Sequence, residues 1–507
     1  MTRVAIAAGS QIAADAGAAA AANGGNAVDA AIAASLASMC TDPGIIALGG
    51  GCFITISPPD DDAVVIDGYA EMPGRSAPPS RFGTGAHEVH LEYGGGMNTI
   101  VGHGSVATPG AVAGLGAASD GYGAIDWAQL IEPALHWAEQ GFPLSGAAAE
   151  YLTYVHRLIF GWQPESHRVL HHRDGSPLRE GETVRCPGLD RSLETLASHG
   201  PAAFYTGPLG RRIADDSSAN GGLLTMADLA AYEAVTRRPL TLDLGDWTLH
   251  TNPGPSVGGA AVAAVLALIE DVDGWDRDNV VRIADAVHAV VTYRRNHLDH
   301  ADDRHAAVDR LMRLTGHADP ALLLSSPSTV HVSAVDADGL ACSISTSSGY
   351  GSGVLVPGTG IWLNNSLGET ELLSSGLHTL EPGTRLPSNM APSVARREDG
   401  AVVAIGSPGA SRITSAVAEV VFNHLRLGLP LADAVAHPRL HIEQFEGRPT
   451  IAYEPGIDVE HVTAFVPRPF DSLSMYFGGT QVASWDPALG LDATADPRRI
   501  GGVAFGG

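Results

Sequence analysis

An α+β fold, in which strands and helices are grouped rather than regularly alternated, is what this sequence predicts. A β-prone hairpin follows the first helices, helix-like segments fill the middle of the chain, and short strands recur after about residue 329. Grouping of this kind is typical of α+β folds, whereas βαβ alternation would indicate a parallel sheet. The 507 residues, 45% hydrophobic and only 17% charged, can bury a large core in one or two such units.

The first elements are two alanine-rich helices and a hairpin. Residues 12–39 combine many alanines with a helical apolar period, which predicts one or two closely packed helices. The glycine run 49–51 leads into the β-prone run 52–57, and a turn separates that run from the second one, 63–67. Because the connecting turn is short, we expect the two runs to pair antiparallel.

Helices are expected to dominate residues 111–199, and a second β-rich region begins near residue 329. The serine- and proline-bearing stretch 322–328 between them predicts an exposed, cleavable linker. Turn signals after the linker separate short runs that we expect to be strands, namely 330–334, 340–345, 360–364, 394–397 and 401–406. A long helix is expected over 411–427.

The charged residues exclude several classes of protein. All 30 basic residues are arginine, and they face 56 acidic residues, for a net charge of −26. Without lysine, neither a Schiff-base or pyridoxal-phosphate enzyme nor a Walker-type phosphate loop can be built. An acidic chain without a basic stripe also argues against nucleic acid as a partner. We therefore expect an enzyme without a cofactor.

Neither a metal site nor a membrane segment is expected. The four cysteines are scattered without the spacing of a zinc site or a disulfide framework, and we interpret them as buried apolar residues. The apolar run at the N-terminus is too short for a signal peptide, and no run of about 18 apolar residues exists elsewhere. These patterns predict a soluble, cytoplasmic protein.

Ser256 is the first candidate nucleophile. Residues 254–258 match the G-x-S-x-G pattern between an expected strand, 247–251, and an expected helix, 259–269. In α/β-hydrolases this pattern forms the nucleophile elbow. Such an elbow belongs to a mainly parallel sheet, and βαβ alternation is missing on both sides. A Gly/Pro turn that opens a helix is the favoured interpretation, and catalysis by Ser256 is the alternative.

Thr329 is the second candidate, at the junction between the linker and an alternating strand. If the bond between Ser328 and Thr329 is cleaved, Thr329 gains a free α-amine. The unperturbed pKa of such an amine, about 7.7–8.0, suits it to take the proton from the Oγ of its own residue. β-Branching also restricts χ1 and so orients Oγ. The competing interpretation is a threonine that merely begins a strand.

Residues 407–413 form a third candidate site, a turn of small residues between an expected strand and an expected helix. Backbone N–H groups at the start of a helix point outward and can stabilise an oxyanion. An ordinary turn is the competing interpretation.

Several short motifs follow one another along the chain: 24–31 (GGNAVDAA) with the glycine run 49–51, 108–114 (TPGAVAG), 228–230 (DLA), 255–259 (PSVGG), 329–331 (TVH), 363–365 (LNN), 406–409 (GSPG) and 496–499 (DPRR). Together, over most of the chain, they resemble the γ-glutamyltranspeptidase family of N-terminal-nucleophile (Ntn) hydrolases. Many motifs in the family's order are far more specific than any one of them.

The resemblance implies a four-layer αββα sandwich and autocatalytic cleavage between Ser328 and Thr329. The products would be a large chain, 1–328, and a small chain, 329–507, which remain partners in one compact unit. Ser256 would then lie in a structural glycine-rich turn.

The resemblance also implies the catalytic roles. Thr329 would be the nucleophile and its freed amine the base, and Ser347 would stand where the family has a supporting threonine. Gly409 and Ala410 would take the places of the two oxyanion-hole glycines. Because the donors are main-chain amides, Ala410 would suit this role if its φ is negative.

The substrate pocket departs from the family's pattern. The resemblance places Tyr69, Asn365, Glu369, Ser388 and Asn389 in this pocket. Tyr69 stands in the motif where members that bind a glutamyl group have an arginine for the α-carboxylate. Glu369 stands where the family has an aspartate for the amine. The usual serine pair is Ser388 followed by Asn389.

Two neighbouring positions bear on the same question. The asparagine that follows the family's catalytic strand is Gly349 here, and Arg75 is a candidate replacement for the missing arginine. An anion buried without a cationic partner costs several kcal/mol. The sequence therefore leaves the substrate class open.

The expected function is that of an autoprocessed threonine acyltransferase or hydrolase that cleaves a γ-glutamyl-like amide of a small molecule through an acyl-enzyme. One alternative is a biosynthetic family member that hydrolyses a carbon–carbon bond beside a keto-acid group in secondary metabolism. Another is a β-lactam (glutaryl) acylase. An α/β-hydrolase that uses Ser256 and a non-catalytic relative remain as readings from other classes.

Overall fold

The computed structural model describes residues 2–92, 96–298, 301, 303–315, 329–373, 376–445 and 447–507. Its strands are β1 Val4–Ala8, β2 Gly51–Ser57, β3 Val64–Gly68, β4 His87–Leu91, β5 Met97–Val101, β6 Phe142–Pro143, β7 Thr183–Val184, β8 Val235–Arg237, β9 Leu240–Asp243, β10 Trp247–Thr251, β11 Val330–Asp336, β12 Ala341–Ser347, β13 Leu355–Val356, β14 Ile361–Trp362, β15 Ser393–Arg397, β16 Val402–Gly406, β17 Leu440–Phe445, β18 Arg448–Tyr453, β19 Val466–Pro469, β20 Gln481–Asp486, β21 Gly490–Ala495 and β22 Gly502–Gly506. Its α-helices are α1 Gln11–Ala22, α2 Ala27–Thr41, α3 Ala111–Tyr122, α4 Trp127–Gln140, α5 Gly146–Val155, α6 Pro164–Leu170, α7 Leu189–His199, α8 Ala202–Tyr205, α9 Pro208–Ala219, α10 Met226–Ala230, α11 Gly258–Leu268, α12 Arg277–Tyr293, α13 Arg304–Leu314, α14 Ile413–Val421 and α15 Leu431–Ala436.

Two antiparallel sheets form the centre of the molecule. The first has the order β22-β1-β11-β12-β2-β3-β8, and the second has the order β21-β20-β16-β15-β10-β9. Strand β11 lies between β1 and β12, and its inner face packs against β16 and β20 of the second sheet. The predicted hairpin is confirmed as the antiparallel pair β2 and β3.

A layer of helices covers the outer face of each sheet. The alanine-rich α1 and α2 pack on the first sheet, and α11 and α14 pack on the second, each pair sharing a hydrophobic core with the sheet it covers. The order of layers is therefore α, β, β, α. The predicted fold class, α+β with a four-layer αββα sandwich, is confirmed.

The alanine-rich segment forms two helices because each has its own N-cap. Ser10 accepts a hydrogen bond from the Ala13 amide at the start of α1, and Asn26 with Asp29 forms a capping box at the start of α2. All of α2 is buried. Small side chains on both helices allow this close packing, which holds the sheet beneath them.

The first strand, β1, was not predicted. It lies between β22 and β11 with every residue buried, so it shows no apolar–polar alternation. The helix predicted over 411–427 is confirmed with modified ends. A 3₁₀ turn, Ala410–Arg412, precedes α14, and a π-helical turn, Phe422–Arg426, follows it.

The four cysteines are all buried and unpaired, as expected. Within the ranges given above, no helix is long and apolar enough to cross a membrane.

Candidate active site

Thr329 lies immediately before β11, at the end of the central strand of the first sheet. It is 4% exposed. Val330 pairs with Thr346 on β12, so the same antiparallel register places Thr329 opposite Ser347. Directly opposed residues project to the same face of a sheet. Ser333, four residues after Thr329 and therefore on the same face, donates from Oγ to the Gln481 carbonyl of β20 at 2.9 Å. This face therefore points into the space between the sheets.

The same row continues across the sheet to Tyr69. Ser347 pairs with Gly51 on β2, and the register of β2 with β3 places Tyr69 opposite Gly51. The Tyr69 ring folds back over this glycine, because a Cβ on Gly51 would lie 2.7 Å from its Cδ2. Thr329, Ser347 and Tyr69 therefore lie in one row across the ends of neighbouring strands and on one face of the sheet. The ring of Tyr69 occupies the space above Gly51.

His331 is a neighbour of Thr329 whose role the sequence did not reveal. Its ring is buried between the sheets, with Nδ1 2.8 Å from Ser345 Oγ and Nε2 2.9 Å from Ser333 Oγ. Gly406 lies against it so closely that any side chain there would overlap the ring. Burial lowers the pKa of His331 to about 3, so it is neutral at physiological pH. This ring fixes β11 against the second sheet.

The turn after β16 presents two amides at the start of a helix. Gly409 precedes the 3₁₀ turn Ala410–Arg412, and in the described part of the chain neither the Gly409 amide nor the Ala410 amide has an acceptor. Unsatisfied amides at a helix N-terminus favour negative charge. The Gly409 backbone is supported from behind by Gly478, where a Cβ on Gly409 would lie 2.9 Å from the Gly478 Cα.

The negative φ on which the sequence analysis made the oxyanion role of Ala410 conditional is not observed. Its φ is +54°, in the left-handed region, and that of Gly409 is +126°. A left-handed alanine costs about 1–2 kcal/mol relative to ordinary helical geometry. The turn therefore keeps the conformation that two glycines would adopt freely, with a methyl group added at the second position.

Tyr69 is held from all sides. Its ring stacks on Phe53 with centroids 5.4 Å apart, and its hydroxyl lies 3.5 Å from Glu369 Oε1. Burial, followed by the nearby Glu369 charge, raises the pKa of Tyr69 well above its ordinary value. The hydroxyls of Ser366 and Ser388 lie close enough to the phenol to offset part of that rise, although Ser366 Oγ makes no hydrogen bond in the described part of the chain. The phenol therefore acts as a neutral hydrogen-bonding group.

Glu369 and Asn365 lie beside Gly349, two residues after Ser347. A Cβ on Gly349, whose φ is +62°, would overlap Asn365 Oδ1 and lie 3.2 Å from Glu369 Oε1. Burial and the neighbouring Glu371 raise the pKa of Glu369 well above its ordinary value. The space of the family's asparagine side chain at position 349 is thus filled by Asn365 and Glu369.

Asn365 is bound at both ends of its amide by its own chain. Oδ1 accepts from the Tyr350 amide at 2.6 Å, and Nδ2 donates to Thr99 Oγ1 at 3.1 Å and to the Ile100 carbonyl at 3.0 Å. These bonds hold the loop that bears Glu369. A direct contact between Asn365 and substrate stays a prediction.

Ser388 and Asn389 lie next to the start of α11. The Ser388 carbonyl accepts from the Val257 and Gly258 amides at 2.9 and 3.2 Å and from Ser256 Oγ at 2.9 Å. Ser256 is fully buried and also accepts from Asn252 Nδ2 at 2.8 Å. These bonds give Ser256 a structural role in a Gly/Pro turn, as the favoured interpretation of the sequence had it.

The fold and these motifs have clear relatives. The family model described as "Gamma-glutamyltranspeptidase" matches residues 13–321 and 318–506. The chain belongs to the γ-glutamyltranspeptidase family. The "Glutathione hydrolase proenzyme" of Escherichia coli K12 is 28% identical over 95% of this chain and 88% of its own length. The protein of the same name from Pseudomonas aeruginosa is 30% identical over 85% of this chain and 81% of its own length.

Solved structures agree on the fold. A cephalosporin acylase from Bacillus halodurans superimposes with a TM-score of 0.80 at 23% identity, covering 99% of this chain and 96% of its own. The Helicobacter pylori γ-glutamyltranspeptidase gives a TM-score of 0.52 at 25% identity, covering 62% of this chain and 91% of its own. This member of the family is thus an enzyme, an autoprocessed Ntn acyltransferase or hydrolase.

The arginines near Tyr69 are paired with carboxylates of the chain itself. Arg385 Nη1 donates to the Tyr69 carbonyl at 2.6 Å, and its guanidinium lies 3.6 Å from Asp67 and 3.4 Å from Glu71. Arg75 lies 3.4 Å from Glu71. Arg385 thus contacts the backbone of Tyr69, and both cations are compensated by carboxylates.

Several polar atoms around the site have no partner. Among the described residues, four buried side-chain oxygens in the motifs that surround Thr329 make no hydrogen bond: Ser348 Oγ, Ser366 Oγ, Asn389 Oδ1 and Ser411 Oγ. All four residues are less than a tenth exposed. A buried polar group without a partner costs about 1–3 kcal/mol. These four oxygens are free to bond to a ligand, although the described chain also has unpartnered buried atoms elsewhere.

Two site predictions concern residues or groups outside this geometry. Ser328 and the linker 322–328 lie outside the described residues. Within the described ranges, no group of three or more His, Cys, Asp and Glu side chains is arranged to hold a metal ion.

Proposed function

We propose that the chain is cleaved between Ser328 and Thr329 and that Thr329 Oγ is the nucleophile of an acyl-transfer reaction. The observation that carries this proposal is the position of Thr329, immediately before the interior strand β11 and opposite Ser347. Family membership supports it, because Ntn hydrolases use the residue that cleavage makes N-terminal.

The proposed reaction requires only groups of this chain and water or an amine. The Thr329 α-amine takes the Oγ proton as Oγ attacks the acyl carbon of an amide. The Gly409 and Ala410 amides hold the resulting oxyanion. The C–N bond then breaks, and the Thr329 ammonium returns the proton to the leaving amine. Water or a second amine, deprotonated by the same group, releases the acyl group from Oγ.

Ser347 has a supporting role in this scheme. Its Oγ accepts a hydrogen bond from the Gly349 amide at 3.1 Å, which fixes the hydroxyl on the face that it shares with Thr329. A fixed neighbour of this kind orients the nucleophile, and orientation is a major part of covalent catalysis.

The acyl group that we propose is short and of about γ-glutamyl length. Support comes from the relatives named glutathione hydrolases, since glutathione contains a γ-glutamyl amide. A glutaryl-type acylase is the second candidate. The burial of Glu369, which raises its pKa, favours this candidate. A glutaryl group keeps the carboxylate of the γ-glutamyl group and lacks only the ammonium that an ionised Glu369 would bind. Carbon–carbon bond hydrolysis, a role in secondary metabolism and a cytoplasmic location stay predictions from the sequence.

Thr329→Ala and Thr329→Ser test the proposal. On a denaturing gel the purified wild type should give two chains, and N-terminal sequencing of the smaller one should begin Thr-Val-His. We expect Thr329→Ala to remain one chain and to be inactive, and Thr329→Ser to retain some cleavage because it keeps a hydroxyl. Cleavage of Thr329→Ala at the same bond would overturn the assignment.

A further inference from the structure

The row of residues that runs from Thr329 across the sheet ends in a phenol and a buried acid, which we take as the wall of the acyl site. Tyr69 stands where the resemblance places the arginine that binds a carboxylate, and its ring fills the space above Gly51. Its hydroxyl faces Glu369 Oε1 at 3.5 Å. The groups that a short acyl chain would meet here are therefore a neutral phenol and a carboxyl group.

No cation of the described chain compensates an anion at this wall. Arg75 and Arg385 are compensated by Glu71 and Asp67, as described above. Arg412 lies near the oxyanion turn, but its guanidinium packs on the Tyr476 ring at 4.8 Å and donates from Nε to the Tyr476 carbonyl at 3.0 Å. It is thus directed toward the C-terminal segment.

The acidic side of the wall is itself crowded. Glu371 is close enough to Glu369 to raise its pKa together with burial, and Glu371 Oε1 accepts from the Tyr350 hydroxyl at 3.1 Å. A carboxylate placed beside these acids would meet like charge in a buried space. An ammonium group would instead form an ion pair with ionised Glu369, and an uncharged polar group would hydrogen-bond to its neutral form.

Uncharged hydrogen-bonding capacity is also left over in these motifs. Ser366 Oγ and Asn389 Oδ1 are buried without a partner. Both can bond to neutral or cationic groups of a ligand, and neither can neutralise an anion.

On the basis of the proposed acyl transfer, we propose that this enzyme takes acyl groups that carry no carboxylate, and that Tyr69 and Glu369 set this preference. The class includes unsubstituted and amino-substituted short-chain acyl amides. Among acyl groups of γ-glutamyl length, it disfavours those with a carboxylate, the γ-glutamyl and the glutaryl group.

Four p-nitroanilides of equal chain length test this proposal, because they vary the two substituents independently. The γ-glutamyl compound has an ammonium and a carboxylate, the 4-aminobutyryl compound only the ammonium, the glutaryl compound only the carboxylate, and the butyryl compound neither. With enzyme-free controls, we expect kcat/KM for 4-aminobutyryl to exceed that for γ-glutamyl at least tenfold, and butyryl to exceed glutaryl likewise. A wild-type preference for the carboxylate-bearing member of either pair would overturn the proposal.

Variants at the two residues assign the preference. Tyr69→Arg should raise kcat/KM for the γ-glutamyl and glutaryl compounds at least tenfold relative to their partners. Its matched control, Tyr69→Phe, keeps the ring without adding a cation and should leave the order unchanged. Glu369→Gln removes the carboxylate that would pair with an ammonium, so it should lower the ratio of kcat/KM for 4-aminobutyryl to that for butyryl. An unaltered order in both Tyr69→Arg and Glu369→Gln would overturn the role of these residues.

The failure of the proposed function is distinguishable from the failure of this inference. An uncleaved wild-type chain, or an active Thr329→Ala variant, contradicts the function whatever the order of substrates. A cleaved wild type that turns over none of the four anilides is examined by thermal unfolding with the four corresponding primary amides. Stabilisation by 4-aminobutanamide or butanamide, and not by glutamine, supports the inference, and the opposite order or no shift at all overturns it.

Discussion

Two buried polar regions of this molecule differ in whether their carboxylates are paired with arginines. Among the described residues, both contain atoms without a hydrogen-bond partner, which in the first region are Arg439 Nε and the carboxylate oxygens of the neighbouring Glu419. Behind β17 and β20, the guanidinium groups of Arg439 and Arg498 lie between Glu454 and Asp496. Arg439 Nη2 is 2.6 Å from Asp496 Oδ2, and Arg498 Nε is 2.8 Å from Glu454 Oε1. Each carboxylate oxygen accepts from at least one further backbone or side-chain donor. Burial opposes the charge of Asp496, but Arg439 and Arg498 outweigh it and lower its pKa.

Around Thr329 the reverse holds. Four buried oxygens have no partner among the described residues, and burial raises the pKa of Glu369 instead of a cation lowering it. Both regions contain motifs that carry the family resemblance. The difference indicates that the ion-paired cluster of Arg439, Arg498, Glu454 and Asp496 stabilises the fold, whereas the acid near Thr329 stays available to a ligand.

Breaking the ion-paired cluster of Arg439, Arg498, Glu454 and Asp496 should produce the largest loss of stability. Arg498→Met leaves Glu454 and part of Asp496 without their charged partner, and removal of one member of a buried ion pair costs about 3–5 kcal/mol. Unfolding in urea should show this decrease in the free energy of unfolding. The control is Arg191→Met on the exposed side of α7, where a change within about 0.5 kcal/mol is expected. A loss below about 1 kcal/mol for Arg498→Met would remove the distinction between the two regions.

Glu369→Gln should show that the buried Glu369 lowers the stability of the fold at neutral pH. The folded pKa of Glu369 lies above its unfolded value of about 4.3, so the folded chain holds more protons in that window. Wild-type stability must therefore fall as the pH rises through it, by about 1.4 kcal/mol for each unit of pKa elevation. Glutamine does not titrate, so the variant should gain on the wild type between pH 5 and pH 8. The control is the same change at the exposed Glu150. If the idea is wrong, Glu369→Gln will differ from the wild type by the same amount at pH 5 and at pH 8.

Two serine-to-alanine changes compare an unpartnered hydroxyl with a satisfied one. Ser366 Oγ has no partner, whereas the equally buried Ser166 Oγ donates to the Phe160 carbonyl at 3.0 Å. We expect Ser166→Ala to cost about 1–2 kcal/mol and Ser366→Ala to change the free energy of unfolding by less than about 0.5 kcal/mol. Ser366→Ala should instead lower kcat/KM several-fold. Equal stability losses in thermal unfolding would show that Ser366 is structural.

Ala410→Gly should give the smallest effect, a gain in stability of about 0.5–1 kcal/mol. Glycine removes the strain of a left-handed alanine, while its greater freedom in the unfolded chain offsets part of that gain. Turnover should be nearly unchanged because the amide donor is kept. Destabilisation by this change, measured as a lower unfolding midpoint, would contradict the positive φ at Ala410.

The sequence predicted those parts of the fold that have local signals. The hairpin β2–β3 has clear turn residues between two β-prone runs, and Thr329 stands out because a linker precedes an alternating strand. Strand β1 was missed because it is buried on both faces and therefore lacks alternation. The neutral ring of His331 and the compensation of Arg385 depend on residues far apart in the chain, which no local pattern reveals.

Site residues divide in the same way. The motifs pointed to Thr329, Ser347, Gly409 and Ala410, but no local pattern showed the positive φ of Ala410, which follows a glycine packed on Gly478. The sequence placed Asn365 in the pocket, yet only the three-dimensional contacts show that its amide is used by Tyr350, Thr99 and Ile100.

The order of strands in the first sheet bears on how the segments before and after the linker are held together. Strand β1, from before the linker, lies between β11 and β22, which both come from after it, and β2 continues the sheet beyond β12. Neither segment can leave without opening the backbone hydrogen bonds on both sides of a central strand. Backbone hydrogen bonds of the first sheet therefore hold the two segments together, and the cleavage that we propose before Thr329 would leave those bonds in place.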